Sequence, residues 1–185
     1  MAEVKGVLVK AQREFLVERY GKDSMERSTA TLDPDDAALV QRKFLDSSFY
    51  PYKTIIALGR LARALASHGR STPEEMGAFI AAFVFKGVYK PLVAPSPAAM
   101  VAKMSWITEF FYRDTQKIES AMNGDKSCVV TYRYEGEVRP TRAVCRSNAG
   151  FWRRTLEMAG APHVQGAHPV CLVDGGDRCE FRFSW

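Results

Sequence analysis

The stretch IESAMNGDKSCVVTYRY, residues 118–134, decides the fold because it contains two alternating runs joined by a turn signal. Ile118, Ser120 and Met122 share one face of the first run. One face of the second run is formed by Cys128, Val130, Tyr132 and Tyr134. Strict alternation is the period of a β-strand with one buried face. Because Asn-Gly is a preferred hairpin turn, Asn123-Gly124 predicts that the two runs form an antiparallel hairpin.

A second hairpin is predicted at the end of the sequence. Two apolar runs, about 163–173 and 178–184, are joined by the turn residues Asp174-Gly175-Gly176-Asp177. Between the hairpins, Pro140-Thr141 opens a segment with helical spacing that reaches about Met158. The order β-β-α-β-β is most simply a four-stranded antiparallel sheet with one inserted helix.

Apolar residues before position 114 recur at helical spacing, which predicts a helical layer. The predicted helices cover about 3–20, 33–45, 50–66, 72–91 and 97–113, and Asp23 or Ser24 is a candidate start for a short additional helix. Thr72 with Glu75 forms a capping box at the start of the fourth, which is apolar nearly all round and therefore central. At 185 residues the chain fits one domain. We therefore predict an α+β domain over 1–185, with a helical layer (1–113) packed on a sheet-containing part (114–185).

The composition excludes several classes of function. The net charge of +5 is spread evenly, so no basic tail or block indicates nucleic-acid binding. The longest apolar stretch, Met76 to Phe85, is shorter than the ~20 residues that span a bilayer. The start has no signal-peptide pattern, which predicts a cytoplasmic protein with reduced cysteines. No Gly-x-Ser-x-Gly motif or phosphate loop is present, so we predict that the chain is not an enzyme.

The last hairpin holds the residues best suited to bind a metal. A turn centred on Gly175 would place Cys171 opposite Cys179, with His168 nearby. Zinc or iron would need three or four such ligands to converge, but Cys128 and Cys145 are distant in sequence and no Cys-x-x-Cys occurs. The favoured interpretation is buried structural cysteines, with no metal and no cofactor. A metal site and a redox-active or lipid-modified thiol stay open as alternatives.

Large aromatic side chains are numerous at core spacing. They either fill the core or form the walls of an apolar pocket between the sheet and the helix from Thr72 to Pro91. For such a pocket we expect this ligand-binding set: Tyr89, Trp106, Phe110 and Trp152, with Cys171 nearby.

An arginine row is the clearest electrostatic pattern. Its members, predicted to share one side of the helix after Pro140, are Arg139, Arg142, Arg146 and Arg153. Such a row could receive phosphates or an acidic partner. The simpler interpretation, which we favour, is the solvated back of a helix.

Short motifs resemble known domains. Lys5-Gly6 through Gly21, Ser48–Pro51 and the segment around Gly87-Val88-Tyr89 resemble heme nitric-oxide-binding domains. The ending, from His168–Cys171 to Cys179–Phe183, resembles vinyl-reductase-type ligand-binding domains, which are similar in fold to subunits of vesicle-tethering complexes. The whole chain most resembles an uncharacterised myxobacterial domain family that shares both features. The resemblance implies a non-enzymatic α+β domain used for sensing or assembly.

Two departures from the heme-binding pattern predict a heme-free protein. The resemblance implies an axial histidine on a helix beside the pocket, but the segment from Pro97 to Arg113 has none. It also implies a tyrosine-serine-arginine motif for the heme propionates, which Tyr132-Arg133-Tyr134 does not match.

Three hypotheses for the function follow from these patterns. The leading one is a cytoplasmic signalling or regulatory module that binds a small apolar ligand, with no nucleic acid and no membrane span. The alternative is a homodimeric scaffold or protein-interaction domain with a filled core. The third is a metal-dependent function at His168, Cys171 and Cys179, or a heme-based sensor. The ligand, the oligomeric state and the pathway stay open.

Overall fold

The computed structural model describes residues 1–66 and 73–185, which form seven α-helices and seven β-strands in two sheets. The helices are α1 (Gly6–Tyr20), α2 (Lys22–Thr29), α3 (Pro34–Val40), α4 (Lys53–Ala66), α5 (Pro73–Val84), α6 (Pro97–Phe111) and α7 (Arg142–Met158). The strands are β1 (Glu3–Lys5), β2 (Phe49–Pro51), β3 (Tyr112–Arg113), β4 (Gln116–Met122), β5 (Ser127–Tyr134), β6 (Gln165–Val170) and β7 (Cys179–Ser184).

The larger sheet is the predicted one. Its order is β4-β5-β7-β6, and every neighbouring pair is antiparallel. Ile118 lies opposite Tyr132 in the first hairpin, and Val170 lies opposite Glu180 in the second. The backbone N–H of Asn123 donates to the Ser127 carbonyl at 2.8 Å, which closes the first turn. The α+β class and the β-β-α-β-β order are therefore confirmed.

The helices cover one face of this sheet. Cys128, Val130 and Tyr132 alternate inward on β5 and are buried. The Ser120 hydroxyl on β4 donates to the Val101 carbonyl of α6 at 2.7 Å. On the other side of the core, buried Trp152 of α7 contacts Tyr132. One hydrophobic core therefore contains side chains from both the helical layer and the sheet.

The small sheet, in the order β2-β1-β3, is absent from the sequence-based prediction. The helix predicted to begin at residue 3 begins at Gly6, because residues 3–5 form β1. Strands of two or three residues are too short for alternation to show. At the β1–α1 junction the N–H of Gly6 donates to the Ser48 carbonyl at 2.7 Å. A Cβ on Gly6 would overlap the Leu45 carbonyl and the Tyr50 ring, so this junction requires glycine.

Three other helix boundaries differ from the prediction. Helix α3 ends at Val40 rather than near residue 45, and α4 begins at Lys53 rather than near residue 50 because Phe49–Pro51 forms β2. Helix α5 ends at Val84, and a 3-10 turn covers Gly87–Leu92 because Lys86 adopts an extended conformation that interrupts the α-helix. The Thr72 cap and the helix stop predicted at 67–69 lie outside the described residues.

Helices α5 and α7 approach each other closely at two glycines. Gly77 of α5 lies against the Ser147 carbonyl, and Gly150 of α7 lies against the Glu74 carbonyl. A Cβ at either position would overlap the opposing backbone. Beside this crossing, the Arg146 guanidinium donates to both carboxylate oxygens of Glu74 at 2.7 and 2.8 Å. The two helices are therefore in direct backbone contact.

None of the helices in the described ranges is both long enough and apolar enough to cross a bilayer.

Candidate functional site

A cavity of about 430 Å³ lies between the helical layer and the larger sheet. Side chains from α1, α4, α5, α6, α7, β4 and β5 line it. Its apolar lining includes Leu8, Phe15, Met76, Ile80, Ile107 and Phe111. This volume is in the range of small-molecule binding sites. Such sites are typically lined by apolar side chains together with a few polar groups. The cavity also lies where the sequence places its candidate pocket, between the sheet and α5.

The polar groups of the described lining are mostly neutral. Gln12 on α1 and Gln116 on β4 are buried, and their side chains are part of the cavity lining. The Tyr132 hydroxyl accepts a hydrogen bond from Trp152 Nε1. Of the described residues that line the cavity, only Arg60 and Arg63 are charged, and both are exposed. A mostly neutral lining of this kind suits an uncharged ligand that can form hydrogen bonds.

Three tyrosines of the lining stay protonated. Burial raises the pKa of Tyr52 and of Tyr112 far above the usual value. Burial likewise raises the pKa of Tyr132, although the hydrogen bond from Trp152 partly opposes this rise. Their hydroxyls consequently offer neutral hydrogen-bonding groups at any physiological pH.

Of the five residues expected to bind a ligand, Trp152 lines this cavity. Tyr89, Trp106 and Phe110 instead form an aromatic cluster beside α6, with ring centroids of Trp106 and Phe110 5.7 Å apart. Trp106 is 51% exposed. The α6 side chains in the lining include Ile107 and Phe111, one position further along the helix. A shift of one position rotates a side chain by about 100°, and the spacing of apolar residues on α6 does not distinguish the two faces.

Cys171, the fifth expected residue, belongs to a second group of side chains. The group consists of Cys145 on α7, His168 on β6, Cys171 and Cys179, and we call it the thiol cluster. One donor atom from each of the four lies within 4.8 Å of the others. The Cys145 sulfur is 3.9 Å from that of Cys171 and 3.8 Å from that of Cys179.

Cys145 is the member of the thiol cluster that sequence reasoning missed. It lies 26 positions before Cys171, so no local spacing links them. The available signal was helical: Cys145 precedes Trp152 by seven residues, two turns, and therefore shares its inward face on α7. Cys128 on β5 is buried but is not part of the cluster.

Two thiols of the thiol cluster have pKa values shifted in opposite directions. The hydrogen bond between the Cys145 and Cys179 sulfurs raises the pKa of Cys145 and lowers that of Cys179. The backbone N–H of Leu172 also donates to the Cys179 sulfur at 3.4 Å, which favours its thiolate. In contrast, burial raises the pKa of Cys128 to about 11, so this thiol stays neutral.

The arginine row has partners within the chain. Arg142 forms an ion pair with Asp174, and Arg146 pairs with Glu74. Arg139 precedes α7 and donates to the backbone carbonyls of Gly136 and Val138, so its predicted place on the helix is wrong. Ion pairs thus account for two of the four arginines, and backbone hydrogen bonds account for a third.

Comparisons with known proteins identify the fold. No family model and no curated protein sequence matches the chain. Among solved structures, an H-NOX protein from S. oneidensis in the Fe(II) ligation state matches with a TM-score of 0.73 and 12% identity, over 97% of this chain and 95% of that one. An unliganded Fe(II) H-NOX protein from K. algicida gives 0.68 and 11%, over 97% and 95%. An oxygen-binding H-NOX domain related to soluble guanylate cyclases gives 0.67 and 12%, over 97% and 94%.

The chain therefore has the fold of H-NOX domains, the heme nitric-oxide-binding class. This confirms the resemblance at the level of fold. Because the identities to the aligned structures are only 10 to 13%, the match shows a shared fold and does not show a shared ligand or activity.

The described residues around the cavity do not provide a ligand for heme iron. Heme iron is held by histidine, cysteine, methionine paired with histidine, or tyrosine. The described residues of the lining include no histidine and no cysteine, and α6 contributes Ile107, Thr108 and Phe111 to it. The lining tyrosines resist ionisation because burial raises the pKa of each. His163 and His168 lie elsewhere, and His68 is outside the described residues.

Proposed function

We propose that residues 1–185 form one cytoplasmic, non-enzymatic sensor or regulatory domain that binds a small, mainly apolar ligand without heme. The observation that carries this proposal is the 430 Å³ cavity, which is lined mainly by apolar side chains and lacks a histidine or cysteine ligand for iron in its described lining. The H-NOX structures supply a precedent, since proteins of the same fold were solved in Fe(II), nitric oxide and oxygen states.

Burial of apolar surface supplies the affinity in this proposal. A ligand that loses about 200 Å² of apolar surface gains roughly 5 kcal/mol, from which the cost of association is subtracted. The amides of Gln12 and Gln116 then select ligands with a hydrogen-bonding group, because an unmatched buried amide is costly. The ligand would touch both the helical layer and the sheet, so its presence would change how the two layers pack.

Filling the cavity should prevent binding. Gly59 on α4 lines the cavity, and a Cβ built there meets no atom within 4 Å. We expect Gly59→Phe to weaken binding of the neutral fluorescent probe 1-aminoanthracene at least tenfold, since the ring occupies the same space. The measurement is a fluorescence titration, accompanied by native mass spectrometry for any ligand retained from expression.

The control is Gly59→Ala, which leaves the cavity open. It should bind the probe as the wild type does and gain about 0.5–1 kcal/mol of unfolding free energy, because alanine is the better helix former. Equal probe binding by wild type and Gly59→Phe would exclude the cavity as the binding site. A stable Soret band after expression with a heme precursor would overturn the heme-free assignment.

A second candidate function, association of two copies of the chain, is favoured by the aromatic cluster. Trp106 is 51% exposed and stacks on Phe110, over which the Lys5 ammonium lies at 3.5 Å. Exposed tryptophan is costly in water and is common at the centre of interfaces. We expect the wild type to elute as a dimer in size-exclusion chromatography with light scattering, and Trp106→Ala to elute as a monomer. A monomeric wild type at all concentrations would reject this candidate.

A further inference from the structure

We propose that the ligand of the cavity is a flat, uncharged cyclic amide or imide, whose polar edge pairs with the side-chain amide of Gln116. This inference rests on the proposed function, because it names the chemical class that the same cavity binds. Its experiment compares two ligands that differ only at the polar edge. Apolar binding in the cavity and recognition of that edge can therefore fail separately.

Gln116 is a buried amide whose hydrogen bonds are not made within the described chain. The residue is 8% exposed and lines the cavity from β4. Its side-chain amide forms no hydrogen bond with any of the described residues. An amide offers two N–H donors and a carbonyl acceptor, and buried groups of this kind normally have partners. The amide is therefore available to a molecule in the cavity.

Three tyrosines lie in the same part of the lining as Gln116. Gln116 pairs with Tyr134 across β4 and β5, and Tyr132 faces inward two residues before Tyr134. Tyr112 precedes Gln116 by four residues, and its ring centroid is 6.5 Å from that of Tyr52. We call the lining residues Tyr52, Tyr112, Gln116 and Tyr132 the polar end of the cavity.

The polar end offers more hydrogen-bond donors than acceptors. The Tyr132 oxygen already accepts from Trp152 Nε1, so its own hydrogen is left to donate. The hydroxyls of Tyr52 and Tyr112 form no hydrogen bond with the described residues, and burial raises the pKa of both, so they keep their hydrogens. Gln116 adds two N–H donors and one acceptor. A matching ligand edge has one or two carbonyl oxygens beside an N–H, which is the edge of a cyclic amide or imide.

The rest of the described lining sets the charge and shape of the ligand. Arg60 and Arg63 are its charged members, and Arg60 lies eight residues after Tyr52, about 12 Å along α4. Arg60 is also paired with Asp36. Within the described lining, no charge is thus placed to neutralise an anionic group at the polar end. Aromatic side chains elsewhere in the lining favour stacking with a flat ring.

Two parallel hydrogen bonds would distinguish this edge from other neutral groups. A glutamine amide donates to a carbonyl and accepts from a neighbouring N–H at the same time, as it does with the adjacent acceptor and donor of adenine. A ligand that lacks the N–H leaves the Gln116 carbonyl unpaired in a buried site. The expected penalty is about tenfold or more in affinity.

Two fluorescent ligands that differ only in the imide hydrogen test this inference. 1,8-Naphthalimide carries an N–H between two carbonyls on a flat apolar ring, and N-methyl-1,8-naphthalimide lacks that hydrogen. We expect the wild type to bind the first at least tenfold more tightly in a fluorescence titration. Gln116→Leu should reduce this preference to less than about twofold and should still bind 1-aminoanthracene. If the methyl group acted only by its bulk, the preference would persist in Gln116→Leu.

Gln12→Leu is the matched control, because it removes the other buried amide of the lining, on α1. It should keep the tenfold preference. Gln116→Leu should have the wild-type Tm or a higher one, since it loses no hydrogen bond to the described residues.

Four outcomes would overturn the inference. They are equal binding of the two naphthalimides by the wild type, an unchanged preference in Gln116→Leu, loss of the preference in Gln12→Leu, and a Tm of Gln116→Leu more than about 5 °C below that of the wild type. In each case, binding of 1-aminoanthracene that Gly59→Phe abolishes would leave the proposed function intact. A wild type that binds none of the three probes would reject both.

Discussion

Gly150→Ala should lower the unfolding free energy by about 3 kcal/mol, and Gly150→Val should prevent stable folding. A Cβ on Gly150 would overlap the backbone of Glu74, and backbone atoms cannot rotate away as a side-chain end can. Helices α5 and α7 would have to separate, which would also pull the Glu74 carboxylate away from Arg146. The same loss is expected for Gly77→Ala, whose Cβ would overlap Ser147. The measurement is urea unfolding monitored by circular dichroism.

A glycine in open space provides the control for this prediction. Gly59→Ala makes the same chemical change within a helix, but its Cβ meets nothing within 4 Å, and it should stabilise the protein. Gly59→Ala should therefore raise the unfolding free energy, whereas Gly150→Ala should lower it. If Gly150→Ala were as stable as the wild type, α5 and α7 would not be in backbone contact.

Trp152→Ala should be the most damaging loss of a single side chain, at about 3–5 kcal/mol of unfolding free energy. Trp152 is 1% exposed and packs edge-on against Phe151, with centroids 5.2 Å apart. Its Nε1 donates to the Tyr132 hydroxyl, so the substitution also leaves that buried hydroxyl without its donor. The same substitution enlarges the cavity and should change its selectivity toward larger apolar probes. Urea unfolding and probe titration together measure both effects.

Two variants separate packing from hydrogen bonding at this position. Tyr132→Phe removes only the hydroxyl and should cost about 1–2 kcal/mol, since it leaves Trp152 Nε1 unpaired. Trp106→Ala, on the exposed face of α6, should cost less than about 1 kcal/mol in a monomer. A Trp152→Ala protein that unfolds at the wild-type urea concentration would mean that α7 does not pack against the sheet.

The large sheet is predictable from sequence because its signals are local. Alternation at Cys128, Val130 and Tyr132 marks the buried face, and the Asn123-Gly124 turn sets the pairing with β4. The small sheet is not predictable in this way. Its strands hold two or three residues each and come from positions up to about 110 apart, so their pairing depends on the packing of the helices between them.

The site is less predictable than the fold because it depends on contacts between distant segments. Cys171 and Cys179 flank one turn, so their closeness follows from the hairpin, whereas Cys145 joins them only after α7 has packed. Similarly, Trp152 faces the cavity while Trp106 faces water, although both lie in aromatic-rich helices. Neighbouring elements decide which apolar face of a helix is turned toward the core. The ion pairs of Arg142 with Asp174 and of Arg146 with Glu74 likewise join segments that are distant in sequence.

The small sheet has a mechanical consequence. Strand β1 runs directly into α1, β2 precedes α4 by one residue, and β3 continues α6 without a break. All three helices border the cavity, and their ends are tied together by main-chain pairing at Glu3, Pro51 and Arg113. Because this pairing couples the three helix ends, we expect a molecule that displaces one of these helices outward to move the other two with it.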